Sequence, residues 1–351
     1  MKAAVILFFA CLSWLFPALA EKPPLRIGLI ASLSGFSARY GTAVLEGARL
    51  AAKEIKERGT RIELLVEDDQ SSPSQVTSAW QKLSSIDRAE GLIAGTWWAN
   101  SIAPQASRAG VPLLSCETLY NREWIATQGY FTLLGDLRDW IRVYEPLVAE
   151  RGWKKGAMVK FTSGFADTLE EEMRQVFSSQ GRSWIKSIEY SDLDLKEAAT
   201  IAAQLKVLKP DVVYVDAQPQ SFAALMKRMT EQKISGMAVI SNPIVRDAAE
   251  EKLFDPRAFQ GEIYYTQRES FRPAFVEKFR AHYGRDPLLN ADLGYYALHL
   301  LVQALSGQEP AGSALKSGKL SVDQLHFEFD DLNVYRGVRQ KVIRLGGPPA
   351  I

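Results

Sequence analysis

The stretch from Leu25 to Gly59, LRIGLIASLSGFSARYGTAVLEGARLAAKEIKERG, decides the architecture. Leu25 to Ile30 is a short run rich in Ile and Leu, the composition of a strand buried on both faces. A loop rich in Gly and Ser follows, Ser32 to Gly41. Val44, Leu45, Ala48, Ala52 and Ile55 then recur at three- and four-residue spacing, which puts one apolar face on a helix from about Thr42, read as its cap, to Arg58. Gly59 ends it. A buried strand, a loop and an amphipathic helix make the first half of a right-handed βαβ unit. Working outward, apolar runs at Ile62 to Val66, Leu92 to Ala94 and Val111 to Leu114 alternate with helical stretches at Ser74 to Leu83 and Ser101 to Arg108. The series restarts with runs at Ala157 to Val159, Trp184 to Ile188, Val212 to Val215 and Met237 to Ile240. Helices near Thr168 to Gln180, Lys196 to Leu208 and Ser221 to Glu231 separate these runs. The last segments return to helices, Phe271 to Tyr283 and Ala291 to Leu305, and then to strands, His326 to Phe329 and Val338 to Arg344. No low-complexity linker divides the two series, so several crossings between lobes are expected, and several crossings make a hinge. The expected fold is α/β: two doubly wound parallel-sheet lobes joined by a multi-strand hinge. Residues 25–139 and 270–322 are expected in the N-terminal lobe, and residues 140–266 and 325–346 in the C-terminal lobe.

Residues 1–20 read as a signal peptide. Lys2 supplies a short positive region, Val5 to Leu19 an apolar run broken by Pro17, and Ala18-Leu19-Ala20 the small-x-small pattern that a signal peptidase cuts. The mature chain is therefore expected to start at Glu21 and to be periplasmic. The apolar run is shorter than the ~20 residues of a spanning helix. Removing Lys2 from the 42 Lys and Arg leaves 41, against 41 Asp and Glu. So balanced a chain carries no footprint for nucleic acid or an anionic membrane. Only Cys116 remains after cleavage, which excludes an internal disulfide. Stability must come from packed cores, and the length calls for two of them.

Enzyme signatures are missing: no H-E-x-x-H, paired C-x-x-C, G-x-S-x-G or G-x-x-x-x-G-K-[ST] occurs. His282, His299 and His326 are scattered and read as surface or packing residues, and no metal or cofactor is expected. The Ser32 to Gly41 loop lacks the G-x-G-x-x-G order that cradles a pyrophosphate. Asp68 and Asp69 look like an acid/base pair, but neighbours leaving a strand point to opposite sides. They read as capping or turn residues near Ser72 to Ser74.

A further set of residues recurs in a fixed order: Ile27-Gly28, Ser34-Gly35 and Tyr40-Gly41, then Glu46-Gly47-Ala48 and Glu54-Ile55. Asp68-Asp69 with Pro73, Ala109-Gly110-Val111-Pro112, Ser115 and Pro210-Asp211 follow, then Phe279, Tyr283-Gly284, Pro287 and Tyr295. In this order and spacing the chain resembles the leucine/isoleucine/valine-binding proteins, the type I periplasmic binding family. Gly95-x-Trp97 and Thr118-Leu119-Tyr120 resemble its amide- and urea-binding branch. The resemblance implies a monomeric, non-enzymatic substrate-binding component of an ABC importer. It would hold a small polar ligand, an amino acid, amide or carboxylate, in an interlobe cleft that closes by hinge motion. Its partners would be permease subunits in the inner membrane. A second reading is a receptor subunit that senses amides or organic acids and reports to a regulator.

Parallel sheets bind ligands outside the carboxyl ends of their strands. That rule selects Phe36 and Tyr40 after the first strand, Trp97, Trp98, Asn100 and Ser101 after the third, and Glu117, Thr118 and Tyr120 after the fourth. From the second lobe it selects Phe165, Gln218 and Asn242. Ser101 reads either as an anion site at a helix start or as an ordinary cap. One of Trp97 and Trp98 is expected to face the cleft. In the family, hydroxyls and backbone N–H groups hold the ligand carboxylate, and an acid of the second lobe holds its ammonium. The resemblance lets Asn100, Ser101 and Thr118 stand for the hydroxyl cluster and Tyr40 and Phe165 for aromatic walls. It puts Asn242 where the acid is expected and Ala217 where a Tyr is expected. A neutral amide does not neutralise an ammonium. The ligand is therefore expected either to pair with Glu117 or to lack the ammonium, and the second expectation is preferred.

Overall fold

The computed structural model describes residues 23–116, 129–192, 195–269 and 272–346; the expected signal peptide, Glu117, Thr118 and Tyr120 lie outside the described residues. The first part of the chain runs β1 (Leu25–Ala31), α1 (Ala38–Glu57), β2 (Ile62–Asp68), α2 (Pro73–Gln81), β3 (Gly91–Gly95), α3 (Ala99–Arg108), β4 (Leu113–Ser115) and β5 (Tyr130–Thr132). These strands form one sheet in the order β2-β1-β3-β4-β5, with every pair parallel. The next part runs α4 (Leu137–Arg142), α5 (Glu145–Arg151), β6 (Lys155–Phe161), α6 (Gly164–Ser178), β7 (Ser183–Tyr190), α7 (Ala198–Leu208), β8 (Val212–Asp216), α8 (Pro219–Glu231), β9 (Ala238–Ser241), α9 (Ile244–Glu250) and β10 (Ile263–Arg268). The chain ends with α10 (Pro273–Tyr283), α11 (Ala291–Ser306), α12 (Ala311–Lys316), the hairpin β11 (Ser321–Val322) and β12 (Leu325–His326), and β13 (Gln340–Arg344).

The second sheet has the order β13-β10-β9-β8-β6-β7, and only β13 is antiparallel to its neighbour. Read from its own first strand, this is the order of the first sheet repeated. Both sheets are doubly wound, with the winding reversing between β1 and β3 and again between β6 and β8. Central strands β3, β8 and β9 are buried at every residue, as coverage on both faces requires, whereas edge strand β7 is exposed or half-buried over most of its length. Helices α1 and α11 cover one face of the first sheet, and α2 and α3 the other. Helices α7 and α8 cover one face of the second sheet, and α4 to α6 the other.

Among the described residues, the chain passes between lobes through residues 133–136 and 333–339, and a third passage falls between Glu269, after β10, and Arg272, before α10. Backbone hydrogen bonds tie them to the strands and to each other. Thr132 N–H donates to Asn333 O at 3.0 Å, Tyr335 N–H to Thr132 O at 2.9 Å, and Glu269 N–H to Arg339 O at 2.9 Å. A hinge made this way can bend but cannot unravel without losing ladder bonds.

Several expectations shift. Helix α1 starts at Ala38, a turn before Thr42, and Ser37 stands at its N-cap position with its hydroxyl 2.9 Å from Ser71 Oγ. Strand β5 is three residues long and β10 is rich in Tyr, so neither carries the Ile/Leu/Val signal. The strand expected at His326 to Phe329 is reduced to the short β12. Phe327, Phe329 and Tyr335 pack into the first lobe's core, while Leu137 packs into the second's. On this packing we propose lobes of residues 25–136 with 272–339 and of residues 137–269 with 340–346.

Helices α1 and α11 cross backbone against backbone. A Cβ on Gly47 would sit 1.6 Å from Ala291 O, and one on Gly294 would sit 2.0 Å from Val44 O. Neither oxygen can yield without moving its helix. Gly47→Ala is therefore expected to lower unfolding free energy by about 3 kcal/mol, read from the urea midpoint. An unchanged midpoint would show that the two helices can part at no cost.

Candidate functional site

In a doubly wound sheet the loops on either side of the winding reversal leave in opposite directions and open a crevice at the carboxyl edge. Here both lobes turn that crevice toward each other. The β1–α1 loop is shaped by Asp68, whose Oδ1 accepts the N–H groups of Leu33 (2.8 Å), Ser34 (3.3 Å) and Gln70 (2.8 Å) and whose Oδ2 accepts Ser34 Oγ–H at 2.7 Å. Burial raises the Asp68 pKa, but these donors outweigh it and hold the carboxyl below its ordinary value. Asp69 Oδ1 accepts Ser71 N–H at 2.9 Å. The two acids are structural, although the turn they fix is the first loop rather than Ser72 to Ser74 alone. That loop places Phe36 and Tyr40, against which Trp97 packs at ring-centroid distances of 5.3 and 6.4 Å.

In the second lobe, Ser163 Oγ accepts Ala166 N–H at 3.2 Å, capping α6 and setting Phe165 in its first turn. Gln218 stands in extended conformation before α8, and Asn242 Oδ1 accepts Ile244 N–H at 3.0 Å before α9. Between the two sets of loops lies a cavity of about 410 Å³. Of the expected site residues, Tyr40, Trp97, Trp98, Phe165, Gln218 and Asn242 border it. Both tryptophans do so, where one was expected.

Asn100 and Ser101 do not appear among its walls. The reason is that α3 begins at Ala99, so both turn into the helix. Asn100 is buried with Oδ1 accepting Tyr130 O–H at 2.9 Å, and Ser101 Oγ donates to Trp98 O at 2.6 Å. Glu117 and Thr118 lie outside the described residues. Several wall residues were not expected: Trp140, Phe161, Tyr190, Asp216, Arg268 and Gln340. Asp216 is an acid of the second lobe. It ends β8 one residue beyond the apolar run, and the strand-end rule would have chosen it with that residue added.

The charges at the cavity are arranged unevenly. Arg268 holds Asp292 through two contacts of 2.6 Å, so its charge is matched. Asp216 has no such match. Lys160, its register partner on β6, is shared among Asp167 (2.6 Å), Glu170 (2.6 Å) and Glu189 (3.5 Å). Burial pushes the Asp216 carboxyl up to about 7, only partly offset by a hydrogen bond from the Phe161 backbone and by the Lys160 charge. Across the mouth of the cleft, Tyr40 O–H donates to Asp247 Oδ2 at 2.5 Å. Arg39 reaches Glu251 at 3.2 Å and Glu250 at 3.4 Å. Asp247 is buried and also sits 3.3 Å from Arg246.

Two doubly wound lobes, a three-segment hinge and facing winding reversals define the type I periplasmic binding fold. The chain belongs to that family: the model described as periplasmic binding protein matches residues 24–346. A comparison with curated protein sequences gave no match. Among solved structures, a solute-binding protein of an ABC transporter from R. palustris in complex with benzoate is similar at 20% identity, with a TM-score of 0.75 over 93% of this chain and 95% of that one. A second from R. palustris, in complex with 4-hydroxybenzoate, gives 16%, 0.76, 92% and 92%. The branched-chain amino acid transporter substrate-binding protein LivJ from Streptococcus pneumoniae, in complex with isoleucine, gives 19%, 0.73, 92% and 95%. At such identities the likeness is one of fold.

The raised Asp216 pKa makes stability depend on pH. The unfolded chain ionises near 3.8 and the folded one near 7, so the folded state loses stability as pH climbs from about 4 to 7 and levels off above. Asp216→Asn removes the charge while keeping an acceptor. At pH 8 it should be more stable than the parent by on the order of 3 kcal/mol, with the gap closing by pH 4. Melting curves at the two pH values check this, and a gap of the same size at both would contradict the assignment.

Proposed function

We propose that this protein is the substrate-binding component of an ABC importer, working in the periplasm as a monomer. It closes two lobes over one small organic ligand and presents the closed form to permease subunits. The observation that carries this reading is the cavity bordered by winding-reversal loops from both lobes. A ligand that touches both lobes favours the closed state by the difference between its affinities for the two states. The Tyr40 hydroxyl is engaged with Asp247 and the Ser163 hydroxyl with Ala166 N–H. The family's solute-binding members support a binding role.

The ligand class proposed is an amino acid, amide or carboxylate with a flat or branched apolar body. Phe36, Tyr40, Trp97, Phe161, Phe165 and Tyr190 supply the apolar surface. The relatives' ligands, benzoate, 4-hydroxybenzoate and isoleucine, are of that kind. Asp216 decides between ligands with and without an ammonium. An ammonium would favour ionised Asp216, so affinity would rise with pH through about 7. A carboxylate alone would favour the protonated form, so affinity would fall.

Calorimetric titration with amino acids, amides and carboxylates at pH 6 and pH 8 tests the reading. At least one compound should bind, and its pH trend should follow the sign of its charge as above. Tyr40→Phe removes the hydrogen bond across the mouth and should weaken that compound by about tenfold, the scale of a bond to a charged acceptor of ~1.5 kcal/mol. A panel without a single binder would contradict the proposal.

A further inference from the structure

The polar groups around the cavity divide into those already engaged and those that are not. Thr96 Oγ1 accepts Trp98 N–H at 3.2 Å, Ser163 Oγ accepts Ala166 N–H at 3.2 Å, and Asn242 Oδ1 accepts Ile244 N–H at 3.0 Å. Asn100, Ser101 and Tyr40 are engaged as described above, and Arg268 is matched by Asp292. Among the described residues, Trp98 Nε1, Trp140 Nε1 and Gln340 Nε2 are buried donors on uncharged side chains that border the cavity and have no partner. Buried polar atoms in folded proteins nearly always have partners, so three orphans around one cavity point to a missing acceptor.

Resting on the ligand-binding reading above, we infer that Trp98 Nε1, Trp140 Nε1 and Gln340 Nε2 receive the acceptor oxygens of a flat aromatic carboxylic acid or its amide. They take the place of a cluster of Ser and Thr hydroxyls. An indole nitrogen donates only, so the two tryptophans select acceptors and turn an ammonium away from their end of the cavity. The group able to pair with an ammonium, Asp216 on β8, is three strands from Gln340 on β13 in the sheet order. That separation is roughly 14 Å at ~4.8 Å per strand. The carboxylate and ammonium of an α-amino acid share one carbon neighbour and cannot reach both ends. A planar ring with its oxygens toward Gln340 and Trp140 and its faces against Trp97 and Phe165 satisfies the donors and leaves Asp216 to be met by a proton. Asn290 Oδ1, also buried, bordering the cavity and without a partner, offers an acceptor for an amide N–H or a ring hydroxyl.

The donors also come from different places. Trp98 belongs to the first lobe, Trp140 to α4 just past the first crossing, and Gln340 to the start of β13 just past the third. One ligand bridging them ties first lobe, second lobe and hinge together.

The test uses the mature chain with its tryptophans labelled with ¹⁵N at the indole nitrogen, and benzoate, benzamide and L-leucine as probes. Trp98→Phe and Trp140→Phe assign the two indole signals and remove one donor each while keeping a ring; Gln340→Met removes the third donor at similar size. Benzoate or benzamide is expected to move both indole protons downfield, and each substitution to weaken its binding about tenfold, as the loss of one hydrogen bond does. Binding of benzoate or benzamide with both indole signals unmoved, and affinities indifferent to the three substitutions, would overturn the inference and leave the ligand-binding reading intact. Binding of L-leucine in preference to both aromatic probes would do the same. A parent protein that binds none of the three would overturn the inference and count against the reading beneath it.

Discussion

A parallel strand delivers its loop at one edge only, and a sheet whose winding reverses leaves a crevice at that edge with nothing of its own to fill it. Everything else in this protein depends on how that constraint is met twice. Three crossings bonded side by side hold the two sheets edge to edge, so each crevice is covered by the other lobe. The cavity is what remains when two such edges meet. Its walls are loops, but loops held by the scaffold: Asp68 fixes the first, Ser163 caps the helix that bears Phe165, and Thr96 fixes the turn at Trp98. Held this way, the aromatic walls are preorganised before any ligand arrives, which lowers the entropy lost on binding.

The same geometry makes closure a balance between interactions at the mouth and interactions inside. The contacts of Tyr40 and Arg39 with Asp247, Glu250 and Glu251 connect α1 of the first lobe with α9 of the second. Most of these charges are partly exposed, and such pairs contribute little individually. Asp247 differs, being buried with a tyrosine hydroxyl and two guanidinium groups around it. On the proposed function, these contacts would favour a closed form, and the unpaired donors and the raised carboxyl inside would disfavour it until a ligand arrives.

Much of this was legible in the residues, and the failures have physical causes. Runs such as Leu92 to Ala94 and Val212 to Val215 announce strands because burial on both faces demands uniform apolarity. Strand β5 is too short to show a pattern, and the Tyr-rich β10 does not look like its neighbours. Of the residues that the strand-end rule selected, Phe36, Tyr40, Trp97, Trp98, Phe165, Gln218 and Asn242 border the cavity, each following its strand within a few residues. The rule overreached at Asn100 and Ser101, where α3 starts earlier than the pattern indicated. Trp140, Arg268 and Gln340 were beyond it. They sit next to the crossings, and what brings them to the cavity is pairing between segments far apart in sequence, such as Arg268 with Gln340. Local periodicity carries no trace of that pairing.

The central claim is that ligand and closure are coupled through one interlobe cavity. Small-angle scattering of the mature chain, alone and saturated with whichever compound binds in calorimetry, measures this most directly. The bound form is expected to have a smaller radius of gyration, and Tyr40→Phe to be more expanded than the parent when both are free of ligand. A radius that stays the same on saturation, in parent and variant alike, would contradict it.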